Sequence, residues 1–180
     1  ILCNDMVSAH VDFIKKVKVL SFSVEFYETL LGQNDLKNVI NQAAKLLKNS
    51  INESSIIIYL NSSESFEARV IDENFASEFD CNQLTSLFSP EAAMAISKSN
   101  QICNLDQMIA LGLDANPSIT NKISVAAVPV GKIGSIAGFI LAYRNADMPL
   151  TGNELQLIAA ITSGLEQVIT ACTNQQQKTE

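Results

Sequence analysis

The chain carries one histidine and no tryptophan. His10 falls on a helix expected to project from the domain, so neither a Ser-His-Asp nor a Cys-His arrangement can assemble inside a pocket. Cysteine is sparse and dispersed. Cys3, Cys81, Cys103 and Cys172 form no C-x-x-C pair, which removes a zinc site and a disulfide framework. Scattered free thiols suit a reducing, cytoplasmic compartment. The seven glycines build no Walker or dinucleotide loop, and Gly131-Lys-Ile-Gly134 reads as a hairpin turn. Basic residues number 12 against 19 acidic ones, a net charge of −7. That sign works against nucleic acid or anionic membrane as the main partner. No apolar run approaches membrane-spanning length, and Ile1-Leu-Cys-Asn-Asp5 shows no signal peptide. The missing initiator Met leads us to expect a piece of a longer polypeptide. Carboxylates recur at no spacing that suggests an acid–base pair or a metal cage, so we expect no metal and no cofactor.

What remains is a chain that is 47% hydrophobic and 17% charged over 180 residues, enough to bury one full core. From Met6 the apolar positions step through His10, Phe13, Val17, Leu20, Val24, Tyr27 and Leu31. Alternating steps of four and three mark a seam that meets another helix. Asp5–Leu31 is therefore read as a long signalling helix, stopped by Gly32, whose partner is either a second chain or its own domain. His10 is read first as a passive packing residue of that seam. It is not placed as a phosphoacceptor, because Val11 follows it and Lys15 stands where a proline is expected.

A second helix spans Asp35–Asn49 with Leu36, Val39, Ile40, Ala43, Ala44 and Leu47 on one face. Ile56–Leu60 is a strand too apolar for a sheet edge, and Phe66–Ile71 a strand with a wetter face. Asp72 to Ser89 reads as irregular. Pro90–Ser97 is a short helix capped by Ser89. Ile102–Leu105 is a short strand, Asp106–Leu113 a helical turn, and Asp114–Ser118 a loop. Ile123–Val130 and Ser135–Tyr143 form an antiparallel hairpin, apolar enough on both strands for both faces of the sheet to be covered. Thr151 and Glu154 are spaced as a capping box for a helix with Leu155, Ile158, Ile161, Leu165, Val168 and Cys172 in heptad register.

Taken together, the strand ending Val128-Pro129-Val130, the Gly134–Gly138 turn and strand, and the Leu150-Thr-Gly-Asn-Glu154 helix start resemble the last third of a GAF domain. With weaker matches upstream the resemblance runs from Leu36 to Ile169. It implies an α/β (α+β) domain with a central antiparallel sheet of five to six strands. Terminal helices cover one face; short helices and loops form a pocket on the other. The division expected is 1–33 as a signalling and dimerisation helix, 34–172 as the sensory domain and 173–180 as a connector. The function implied is a non-catalytic regulatory module of a larger, bacterial-type signalling protein. It would bind a small molecule and form a homodimer through its terminal helices, without membrane insertion. Occupancy would alter the loops around Phe75–Leu113, then the sheet, then the helices.

The ligand classes of that family divide on residues present here. A bilin-type cysteine is followed by histidine, but Cys103 precedes Asn104. Haem-binding members use a histidine that the pocket region lacks. Of the cyclic-nucleotide pattern, Arg144-Asn145 and Leu150-Thr-Gly-Asn-Glu154 keep only the final Glu. The one enzyme of this fold considered, a free methionine sulfoxide reductase, would need Cys81 and Cys103 as attacking and resolving thiols, but its glycine-flanked cysteine is absent. The alternative to a sensor is a ligandless dimerisation scaffold. The candidate ligand-binding residues are Tyr59, Arg69, Phe79, Phe88, Asn104 and Ser124. The candidate dimer interface is Phe13, Val17, Leu20, Val24, Tyr27 and Leu31 with Leu165, Val168 and Cys172.

Overall fold

A computed structural model describes residues 2–61, 66–70, 81–132 and 135–177. The chain opens with α1 (Leu2–Leu30), turns at Gly32 with φ +82°, and continues into α2 (Leu36–Ser50). Asp35 caps α2 by accepting from the Lys37 and Asn38 amides. Among the described residues five antiparallel strands follow: β1 (Ser55–Asn61), β2 (Phe66–Val70), β3 (Cys103–Asn104), β4 (Ile123–Lys132) and β5 (Ser135–Asn145). Their order in the sheet is β2-β1-β5-β4-β3, so the apolar β1 is flanked on both sides, as expected. Between β2 and β4 lie the short helices α3 (Cys81–Thr85), α4 (Pro90–Lys98), α5 (Leu105–Ala110) and α6 (Pro117–Thr120). The helix α7 (Gly152–Gln177) closes the described chain.

Strand alternation divides the core in two. Ile56, Ile58, Leu60, Val128, Val130, Ile140 and Ala142 face α1, α2 and α7. Ile57, Tyr59, Val125, Ala127, Phe139, Leu141 and Tyr143 face the layer of short helices. The β4–β5 hairpin is buried on both sides because each layer brings its own apolar residues. At Gly138 (φ +150°), β5 passes so close to the Tyr59 backbone that a Cβ would collide with the Tyr59 carbonyl; only glycine fits.

Three expectations change. Cys81–Thr85 and Pro117–Thr120 are helical rather than irregular; the second starts from Asn116, whose side chain accepts from the Ser118 amide. The Gly131–Gly134 turn lies partly outside the described residues, and β4 reaches it through a bulge between Val130 and Gly131. Finally, Gly152–Asn174 is long and apolar enough to cross a membrane by composition, contrary to the sequence reading. Its apolar stripe, Leu157, Ile158, Ile161, Leu165 and Ile169, is packed into the helix-side core.

Candidate functional site

The layer of short helices is where a ligand pocket is expected. Ser89 caps α4 by accepting from the Ala92 amide, and Ile96 and Ala93 then point at the sheet. Tyr59 and Phe139 are register partners on β1 and β5, and their rings stack at 4.5 Å and 9°. Phe88, delivered by the segment after α3, tilts onto both rings at 5.1 and 5.9 Å. Such contacts contribute about 1 kcal/mol each beyond burial. Leu84, Leu87, Met108 and Leu113 complete the packing. Tyr59 and Phe88 come together as members of an aromatic cluster. Phe139, its third ring, was not singled out in the sequence; its place opposite Tyr59 is visible only once the strand register is known.

The other ligand candidates disperse. Asn104 is exposed and caps α5, its carbonyl accepting from the Gln107 amide while Gln107 Oε1 accepts from the Asn104 amide, each at 2.9 Å. That capping box accounts for the residue without a ligand. Ser124 alternates with Val125 onto the helix side, where its hydroxyl accepts from the Leu150 amide at 3.0 Å. It positions the loop before α7. Arg69 is set opposite Ile58 in the β1–β2 register, and its side chain lies outside the described residues. Phe79 lies outside them altogether. Cys103 is buried with its sulfur 3.2 Å from the Ser99 hydroxyl; Cys81's side chain is not among those described.

A constellation not chosen from the sequence sits at the start of α7. Arg144, on the last turn of β5, is buried and makes five hydrogen bonds. Its guanidinium donates to both Glu154 oxygens at 3.0 and 2.8 Å. It also donates to the carbonyls of Asn52, Met148 and Pro149. The Glu154 carboxylate in turn accepts from the Thr151 amide and hydroxyl at 2.7 Å. Burial pushes the Glu154 carboxyl up, but the Thr151 bonds and Arg144 outweigh it and hold it below the usual range. The bidentate geometry ties the α2–β1 loop, the β5 end and α7 into one joint. The signal for it was an arginine ending an apolar strand, seven residues ahead of a Thr-x-x-Glu cap.

Open volumes lined by described residues include two outside the aromatic cluster. One of about 470 Å³ lies between α1 and the first turns of α7, with Val19, Leu20 and Leu157 as its apolar lining and Lys15, Lys16 and Lys18 around it. Among the described residues Lys16 and Lys18 pair with no carboxylate. The second, about 670 Å³, lies at the free edge of β4 beside Ile102, Pro129 and Thr162. No group of three or more His, Cys, Asp or Glu side chains able to hold a metal occurs among the described residues.

The dimer candidates separate by helix. Every described residue from Asp5 to Lys18 is exposed, and Phe13, Val17, Leu20, Val24 and Leu31 stand on the surface, Phe13 and Leu20 about two-thirds exposed at 64% and 66%. Tyr27 is half-buried, its ring laid over Gly164, where a Cβ would strike it. Leu165 and Cys172, by contrast, are buried in the chain's own core and Val168 is half-buried against it. The heptad pattern on α7 is satisfied by the sheet and α2, so Leu165 and Cys172 are not surface residues. Burial, with Asp35 nearby, pushes the Cys172 thiol up, and its sulfur lies 3.6 Å from the Gln33 carbonyl.

No protein-family profile matches the sequence, and no curated protein does. Solved structures do match. The GAF domain of a phosphoenolpyruvate-protein phosphotransferase from Coxiella burnetii superposes with a TM-score of 0.66 at 8% identity, covering 88% of this chain and 96% of that one. A GAF domain/HD domain protein from Geobacter sulfurreducens gives 0.60 at 18% identity, covering 81% and 98%. The chain has the GAF fold. A cyanobacteriochrome GAF domain matches at 0.58 and 14% identity, with 81% and 95% coverage. At such identities the likeness carries the GAF architecture, not a ligand.

Proposed function

We propose that this GAF domain is a non-catalytic regulatory module of a larger signalling protein, taking up a small molecule and passing its occupancy to an output domain through α1 paired with a second copy. The observation that supports it most is the apolar stripe of α1, a helix whose described residues from Asp5 to Lys18 are all exposed. Tyr59, Phe88 and Phe139 pack together in the layer of short helices, and a volume open to a ligand is the groove between α1 and α7. Its apolar lining and the unpaired Lys16 and Lys18 suit a small carboxylate or phosphate with an apolar body. A ligand there would touch α1 directly, and it shifts pairing only by its difference in affinity for paired and unpaired states.

The close packing of Tyr59, Phe88 and Phe139 favours a second reading, a dimerisation scaffold without ligand. A thermal-shift screen with nucleotides, amino acids and small carboxylates decides between them. A ligand at a hundred times its Kd stabilises the protein by about 2.7 kcal/mol, a shift of several degrees. Stabilisation that disappears in Lys16→Glu/Lys18→Glu supports uptake at the groove. A flat screen with an intact dimer selects the scaffold.

A further inference from the structure

Away from α1, the helix α7 turns another face to the free edge of β4, and that face hides a carboxylate. Glu166 is only 7% exposed, and its Oε2 is buried without a hydrogen-bond donor among the described residues. A buried carboxylate oxygen that has given up water calls for a donor in its place. On an α-helix each residue turns about 100° from the last. Seven residues beyond Ala159 and four beyond Thr162, Glu166 falls between the two on the helix face. Ala159 and Thr162 form the α7 wall of the cavity of about 670 Å³ beside β4. Long helical side chains lean back over the preceding turn, which carries the Glu166 carboxylate toward Thr162 and that cavity.

We propose that this cavity binds a small organic amine, its ammonium group paired with Glu166 and its apolar body lying along Ile102 and Ala159. The chemistry of the wall selects the charge. The Thr162 hydroxyl donates its hydrogen to the Ala159 carbonyl at 2.9 Å, so its oxygen is left with lone pairs only. Pro129 brings a carbonyl and no amide hydrogen. A cation with several N–H donors satisfies these acceptors, and an anion does not. A metal ion is poorly served, because no group of three or more His, Cys, Asp or Glu able to hold one occurs among the described residues. Ile102 and Ala159 pack against the helix-side core and offer the apolar surface. The net charge of −7 draws cations to the molecule as a whole. This site is separate from the groove at α1, where Lys15, Lys16 and Lys18 would repel an ammonium group.

The test titrates n-butylammonium chloride into the full chain. Tetramethylammonium chloride, cationic but without N–H, and sodium butyrate, an anion, serve as controls. The expected result is a saturable rise in Tm with n-butylammonium alone. In the unmodified chain the carboxyl carbon resonance of Glu166 should move along the same titration curve. Glu166→Gln keeps the shape of the side chain and removes its charge, and should weaken the amine about tenfold or more. Thr162→Val should weaken it less, and Lys16→Glu/Lys18→Glu at the other groove should leave it unchanged. No saturable response to n-butylammonium overturns the site, as does an equal response to tetramethylammonium. Undiminished binding by Glu166→Gln overturns it too, and each of these leaves the reading of the α1 groove standing.

Discussion

The two terminal helices carry the same heptad spacing and meet opposite fates. On α7 the heptad residues Ile158, Ile161, Leu165 and Cys172 are consumed by the sheet and α2, leaving Ser163, Gln167, Thr170 and Asn174 outward. On α1 only the last three turns dock, through Phe22, Phe26 and Leu30, and the apolar stripe faces outward. A seam in sequence thus does not say where the partner of a helix lies. Whether that partner is internal depends on how far the helix overlaps its own domain.

Five measurements break or sharpen this contrast. Arg144→Ala, which frees the start of α7 and strands Glu154, is expected to cost about 4 kcal/mol in urea unfolding. Leu165→Ala, inside the α7 stripe, should cost about 3 kcal/mol while leaving the oligomeric state unchanged in sedimentation. Gly164→Ala places a methyl where Tyr27 lies, at the crossing of the two helices. The ring can swing, so a loss of about 1 kcal/mol is expected, with Tyr27 fluorescence reporting the displacement.

The joint also predicts a pH dependence. Glu154's carboxyl is lowered in the folded state, so its contribution is present above the unfolded carboxyl value of about 4.3 and is lost as pH falls through the folded one. Glu154→Gln should flatten the difference in Tm between pH 7 and pH 3. Smallest in stability is Leu20→Glu on the bare stripe of α1, expected within about 0.5 kcal/mol for the isolated subunit. Its effect should appear instead as loss of the dimer in sedimentation; an unchanged dimer would remove α1 from the interface.

The elements were largely legible because their signals are local: Asp35 and Ser89 as caps, Thr151 with Glu154 as a box, two apolar strands around a glycine turn. The site was not, because it depends on register. Ser124 and Val125 are neighbours in sequence, but alternation sends one to α7 and the other to the opposite face. Asn104 looked like a polar anchor since a short strand and a cap use the same residue type. Arg144 was read only against a nucleotide-binding pattern, although its partners from Asn52 to Glu154 meet only in the folded chain.

One detail of the sheet bears on how such a molecule survives at high concentration. β3 covers β4 only at Ala126 and Ala127, and beyond them the rim carries Pro129, which has no amide hydrogen to offer, and the bulge at Gly131. A neighbouring chain cannot continue the ladder there, so strand-by-strand growth into fibrils is blunted. The β4 margin of the sheet is thus closed to a further strand by its own sequence, one residue without an amide hydrogen and one displaced by the bulge.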